Sequence, residues 1–124
     1  MASISNLLGG AGWPRAVRLV RSSDFRAVYR SGRRLASSHF VAFVLSNGRA
    51  LSRFGLSLKG APKRRGGSVL RNRMKRRARE MLRRCRAEIP AGWDIVLHPK
   101  TTVSTADFAA LEAELLGMFA KGLA

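Results

Sequence analysis

SVLRNRMKRRAREMLRRCRA, residues 68–87, decides how the rest of this chain is read. At 100° per residue, Leu70, Met74, Ala78, Met81 and Cys85 fall on one helical face with Leu82 at its edge. Asn72, Arg76, Arg79, Arg83 and Arg86 fall on the opposite face, and Arg71, Arg73, Lys75, Arg77 and Arg84 fill the flanks. The stretch is expected to be a helix with its apolar side packed on a core, capped by Ser68 and running to about Ala87, ahead of Pro90. Cys85, on the packed side, reads as a small core residue rather than a nucleophile. A merely solvated helix mixes charge signs at i, i+4, whereas here like charges stack and repel. Lys75 is the only lysine between 64 and 86. The guanidinium fork grips phosphate oxygens two at a time, which an ammonium does not. Asn72 and Arg73 also lie in the first turn, where free backbone N–H groups favour an anion. This helix points to nucleic acid.

Working outward, residues 59–67 (KGAPKRRGG) form a Gly/Pro/basic loop before the helix. Upstream of it, residues 39–45 (HFVAFVL) and 53–58 (RFGLSL) read as two strands, which the Asn47-Gly48 turn would join into a hairpin. A shorter strand is expected at 33–36. Ser22 or Ser23 would cap a first helix that carries Phe25, Val28 and Tyr29 on one face and stops at Gly32. Residues 1–14 are small and glycine-rich, with no pattern, and read as a disordered extension; residues 15–124 would then be a single RNA-binding domain. Downstream, residues 93–97 (WDIVL) read as the last strand, closed by Pro99. Ser104, with Asp107 three residues on, would open a C-terminal helix as a capping box, burying Phe108, Leu111, Leu115 and Met118/Phe119. The order αβββαβα gives an α+β two-layer sandwich, a small mixed sheet with the arginine-rich helix on it.

The composition narrows the function classes. The chain has 124 residues, 24 Lys+Arg against 7 Asp+Glu, and a net charge of +17. Residues 63–86 alone contribute a net +11, residues 1–62 add +9, and residues 87–124 carry −3. Charge of that density calls for a polyanionic partner. A single cysteine and two histidines leave no disulfide framework, cysteine-based zinc site or Ser/His triad. The scattered acids argue against a stand-alone metal-dependent nuclease. No short helix precedes the basic one, against a DNA-binding helix-turn-helix. A ribosomal protein would share the charge and would be a structural binder rather than part of an enzyme. No apolar run nears the roughly 18 residues of a membrane span, and the N-terminus lacks a basic secretory n-region, so a cytoplasmic protein is expected.

The string from Gly66 to Glu80, GGSVLRNRMKRRARE, resembles the signature of the bacterial ribonuclease P protein subunit: a small apolar pair, R-N-R, an apolar residue, K-R, two variable positions and R-[EQ]. Phe25-x-x-Val28 with Gly32, the HFVAFVL strand, the glycine of RFGLSL and GWDIVLHP are also similar to that family, over about residues 15–120. The resemblance implies an endoribonuclease subunit that assists a catalytic RNA in removing 5′ leaders from precursor tRNA. No catalytic residue is expected in this chain. Mg²⁺ would be held mainly by the RNA subunit and the substrate, none tightly by the protein, with no membrane and no obligate protein partner. Catalytic-RNA contacts are expected from Arg71, Asn72, Arg73, Lys75, Arg76, Arg79 and Arg83. Relatives usually carry Ser-Lys-Lys and a compact turn before the signature. The longer loop here offers Lys59, Lys63, Arg64 and Arg65 for those contacts.

In the family a cleft between the first helix and the sheet holds the single-stranded leader. The residues that would line it here are Phe25, Tyr29, Val41, Phe43 and Ser57, with Arg26, Arg30 and Arg33 as a basic rim. Val41 and Phe43 share a strand face by i, i+2 alternation. An apolar groove with a basic rim stacks unpaired bases while tracking their backbone.

Overall fold

The structure, a computed structural model, describes Leu8, residues 13–58 and residues 67–123. Helix α1 (Ser22–Ser31) leads into strands β1 (Arg33–Ala36), β2 (Phe40–Ser46) and β3 (Arg53–Leu56). Helix α2 (Gly67–Cys85), strand β4 (Trp93–Pro99) and helix α3 (Phe108–Gly122) follow. The expected α+β order is realised as a mixed four-stranded sheet with three helices.

The sheet order is β1-β2-β4-β3, with β1, β2 and β4 antiparallel and β3 parallel to β4. The hairpin expected between β2 and β3 therefore does not form. The turn itself does: Gly48 sits at φ 66°, and the Asn47 side chain accepts from Arg49 N–H at 2.8 Å and donates to the Leu51 carbonyl at 3.2 Å. What displaces β3 is the apolar character of β4, where Ile95, Val96 and Leu97 are all fully buried. A strand apolar on both faces belongs in the middle of a sheet.

Alternation along the strands sorts the core. Phe40, Ala42, Val44, Phe54, Leu56, Ile95 and Leu97 face α2 and α3, meeting Ala78, Met81, Leu82, Leu111, Leu115 and Phe119. Val96 faces the other way, with Leu19 and with Phe25 and Val28 of α1. Tyr29, Phe43 and Leu45 pack half-buried around that second cluster. Gly55 lets α1 sit this close, since a Cβ there would lie 2.7 Å from the Phe25 ring.

Several local expectations shift. Arg21, without a side-chain bond, occupies the N-cap of α1, so neither Ser22 nor Ser23 caps it; Gly32 does end it, donating to the Val28 carbonyl at 2.9 Å. Helix α2 already includes Ser68 and stops at Cys85, and Arg86–Glu88 tighten into a 3₁₀ turn. Asp107 alone caps α3, accepting from Ala110 N–H at 3.0 Å, because Ser104 belongs to a separate 3₁₀ turn at Thr101–Ser104. Short polar side chains compete for the same orphan amides, and geometry selects between them.

The expected extension over residues 1–14 is corrected at two positions. Leu8 is fully buried and Trp13 nearly so, both within the main core. The Trp13 ring meets Phe54 edge-on at 5.9 Å and lies beneath the Arg86 guanidinium at 5.2 Å. Arg18 then bridges Phe54 in parallel, covering part of the β3 edge. Glycine-rich composition hid two large apolar anchors. Beside them, Arg53 clamps buried Asp94 with bonds of 2.6 and 2.9 Å and reaches Asp24 at 3.5 Å, tying β3, β4 and α1 together.

Candidate nucleic-acid interface

Helix α2 carries the first half of the site. Its buried side is Met74, Ala78, Met81, Leu82 and Cys85. Burial pushes the Cys85 thiol up to about 11, which keeps it protonated and inert. On the outer side Asn72, Arg73 and Arg76 are exposed, with Arg71, Lys75 and Arg79 half-buried beside them. Among the described residues no hydrogen bond or ion pair engages the side chains of Asn72, Arg73 or Arg76. Asn72, Lys75, Arg76 and Arg79 surround a hollow of about 440 Å³, and Arg76 and Arg79 also line a second of about 190 Å³ with Trp13, Glu80 and Arg83. Each hollow is wide enough for a phosphate group.

The other arginines of α2 are spoken for. Arg77 donates to the Val103 carbonyl at 2.8 Å and to that of Ala106, with Phe108 beneath it at 5.6 Å. Arg84 stands 5.0 Å over the same ring and 4.0 Å from Glu112. Arg83, expected to face RNA, is exposed but grips both carboxylate oxygens of Glu80. That bond holds the Glu80 carboxyl below its ordinary range. Arg71 reaches the Leu58 carbonyl at 3.5 Å. A helical wheel separates buried from outward positions but not outward arginines from those that fasten the helix to its neighbours. Lys59, Lys63, Arg64 and Arg65 lie outside the described residues.

The second half lies across the sheet, on the face that α1 only partly covers. Tyr29, Phe43 and His98 form a half-buried ring cluster: Tyr29–Phe43 edge-on at 5.1 Å, Tyr29–His98 at 5.6 Å and Phe43–His98 at 5.5 Å. The Tyr29 hydroxyl shares a 2.8 Å hydrogen bond with His98 Nε2 and another with Ser57. Burial raises the Tyr29 phenol above its ordinary value, and the Ser57 bond partly offsets this. Val41 lies directly opposite His98 in the β2–β4 ladder, half-buried on the same face.

Four of the five expected cleft residues, Tyr29, Val41, Phe43 and Ser57, thus share one half-open surface. Phe25 does not. Its ring is fully buried under α1 against Gly55 and Leu19, so it supports the cleft floor without presenting a surface. The rim also changes: Arg33 turns to the opposite face and donates to the Gly122 carbonyl, while Arg34, opposite Phe43, is an exposed cation on the cleft side, and Arg26 and Arg30 of α1 are exposed as well. His98 is the residue the sequence reading missed. Its place follows from the pairing of β4 with β2, and only a sheet order with β4 in the middle reveals it.

The two halves meet at the end of β3. Ser57 faces the cleft, and the next residue, Leu58, packs against Met74 and Leu70 of α2. The first turns of α2 therefore lie beside the Ser57 end of the half-open surface. Six of the seven acids, by contrast, are engaged, Glu88 being exposed: Asp24 and Asp94 pair with Arg53, Glu80 with Arg83, and Glu112 with Arg84. Glu114 accepts from Ser37 and the His39 N–H, and Asp107 caps α3. No group of three His, Cys, Asp or Glu among the described residues could hold a metal ion, and no helix there is long and apolar enough to cross a membrane.

The family model Ribonuclease P matches residues 13–122. The ribonuclease P protein component of Carboxydothermus hydrogenoformans is 34% identical over 100 residues, 79% of this chain and 84% of that protein. That of Desulfovibrio desulfuricans is 39% identical over 109 residues, 83% and 80% of the two chains. Among solved structures, the RNase P protein of Thermotoga maritima superposes with a TM-score of 0.68 at 32% identity, covering 84% of this chain and 96% of that one. The Staphylococcus aureus RNase P protein gives 0.67 at 25% identity, covering 86% and 95%. The match begins at Trp13, the second of the two buried N-terminal anchors, and runs through both faces of the sheet. By sequence and by fold, the chain belongs to the ribonuclease P protein family.

Proposed function

We propose that this chain is the protein subunit of a cytoplasmic ribonuclease P ribonucleoprotein, binding the catalytic RNA through α2 and the 5′ leader of precursor tRNA through the cleft. The observation that carries the reading is the contrast along α2: its flanking arginines fasten it to the fold, while Asn72, Arg73 and Arg76 stand outward without a protein partner among the described residues. Uncompensated guanidinium groups beside phosphate-sized hollows suit an RNA backbone. The cleft supplies the complementary part, ring faces for unpaired bases with a hydroxyl and an imidazole at the base edges.

Six of the seven acids are committed to ion pairs, hydrogen bonds or a cap, and Glu88 stands apart from any cluster of three ligands, so the donor set does not fit a tightly held ion. This chain's contribution is binding and orientation: α2 anchors the RNA, and the cleft holds the leader so that the scissile bond is presented to the RNA's active site. Reconstitution tests it. The protein with its catalytic RNA should cleave a precursor tRNA at the mature 5′ end at low magnesium, and the protein freed of RNA should not cleave. Site-specific cleavage by the pure protein, or no binding of the folded protein to that RNA, overturns it.

A further inference from the structure

Strand β1 is an edge strand, and its free side forms one wall of a groove of about 540 Å³ against α3. Leu35, Ala36, Ala113 and Met118 make its apolar surfaces, and Arg34 and Lys121 its basic ends. Glu114 also lines it, but its carboxylate is taken up by Ser37 and the His39 N–H, so it tethers the β1–β2 turn. Neither Arg34 nor Lys121 is ion-paired among the described residues. The groove and the cleft share a wall, because Arg34 and Ala36 stand opposite Phe43 and Val41 on the cleft side and also border the groove.

Gly117 is the second observation. It lies inside α3, where glycine is unfavourable relative to alanine. Gly122, in the same helix, has a packing reason: a Cβ there would collide with Leu35. Gly117 has none, since a Cβ would meet nothing within 4 Å. Gly117 lines the groove, and its missing side chain leaves that part of it open.

We propose that this groove is a second single-stranded RNA subsite, receiving leader nucleotides beyond those held in the cleft; the inference rests on the cleft reading above. The net charge of +17 and the basic ends favour a polyanion over a second copy of the chain, whose Arg34 and Lys121 would meet their own kind. An edge strand presents unpaired N–H and C=O groups, which can pair with base edges as they would with another strand. The apolar walls cover the base, and Arg34, at the shared wall, follows the phosphate from one concavity to the other.

The test uses the reconstituted holoenzyme and a series of precursor tRNAs differing only in leader length. Affinity of the wild type should rise again, by about tenfold, once the leader outruns the cleft. Gly117→Leu, which fills open space, should fold and bind short leaders as the wild type does, yet lose that second rise. Lys121→Ala should lose part of it, and Gly117→Ala should keep it. If Gly117→Leu follows the wild type at every length while Phe43→Ala weakens all leaders, the groove proposal falls and the cleft reading stands. If Phe43→Ala also changes nothing, both fall.

Discussion

The outer face of α2 and the half-open surface beside α1 are built by opposite means. The helix presents cations that are exposed, outward and close in sequence; the cleft presents rings that are half-buried and drawn from α1, β2 and β4. The difference shows in what each costs the free protein. Like charges along α2 repel and are tolerated because Arg77 and Arg84 fix the helix to the carbonyls, ring and carboxylate of the α3 side. The cleft costs the fold little, since its rings pack on one another and on a buried layer of Phe25, Val28 and Val96. Electrostatics governs one face and packing the other.

That division is tested hardest at Phe25 and Phe43, two phenylalanines on the same side of the sheet. Phe25→Ala removes a fully buried ring and should destabilise the protein by about 3–5 kcal/mol, read as a lower urea midpoint. Trp13→Ala should cost a comparable amount, since that ring is wedged between Phe54 and Arg86. Phe43→Ala should be milder in stability and instead lower holoenzyme affinity for precursor tRNA by about 1–3 kcal/mol, with mature tRNA binding little changed. A Phe25→Ala protein that stays fully stable would mean the cleft floor is soft, and the boundary between core and cleft would dissolve.

The arginines sharpen the comparison from the other side. Arg73→Ala or Arg76→Ala should each weaken catalytic-RNA binding by about 1–3 kcal/mol and make the salt dependence shallower by about one phosphate. Phe43→Ala should leave that slope alone. Arg77→Ala should behave as a fold variant, lowering the unfolding midpoint while the slope stays near wild type, because its guanidinium already serves Val103 and Ala106. Arg83→Ala should have a smaller effect on binding than Arg76→Ala, since Glu80 already neutralises that charge. If Arg77 and Arg76 prove interchangeable in the salt series, the contrast along α2 has no functional content.

These contrasts also explain what the sequence could reveal. A site built on one helix is legible because the 3.6-residue period orders its faces: Asn72 and Arg76 emerge where the wheel puts them, and Arg73, placed on the flank, is exposed beside them. Arg77 escaped that reading because its partners, Val103 and Ala106, are 26 and 29 residues away. The cleft depends on which strand stands beside which. Alternation places Val41 and Phe43 on one face, but the position of β4 between β2 and β3 is a tertiary outcome, and His98 enters the site only through it. Phe25 and Tyr29 share a helical face, yet Gly55 draws one against the sheet and leaves the other at the open margin.

The smallest effect belongs to a single oxygen atom. Tyr29→Phe keeps the ring that meets Phe43 edge-on and removes the hydroxyl shared with His98 and Ser57. If the cleft binds chiefly through ring faces, affinity for a leader should fall by no more than about 1 kcal/mol, the typical net worth of one hydrogen bond. The same variant carries a pH signature. Burial raises the Tyr29 phenol in the folded protein, so the neutral hydroxyl contributes stability that is fully present below its ordinary value of 10.0 and is lost as pH rises toward the folded one. Tyr29→Phe should therefore flatten the alkaline fall of the unfolding free energy while leaving the neutral range almost unchanged. A loss of leader binding as large as that of Phe43→Ala would show instead that the hydroxyl reads the base edge, and that the cleft, like α2, recognises its RNA through polar contacts.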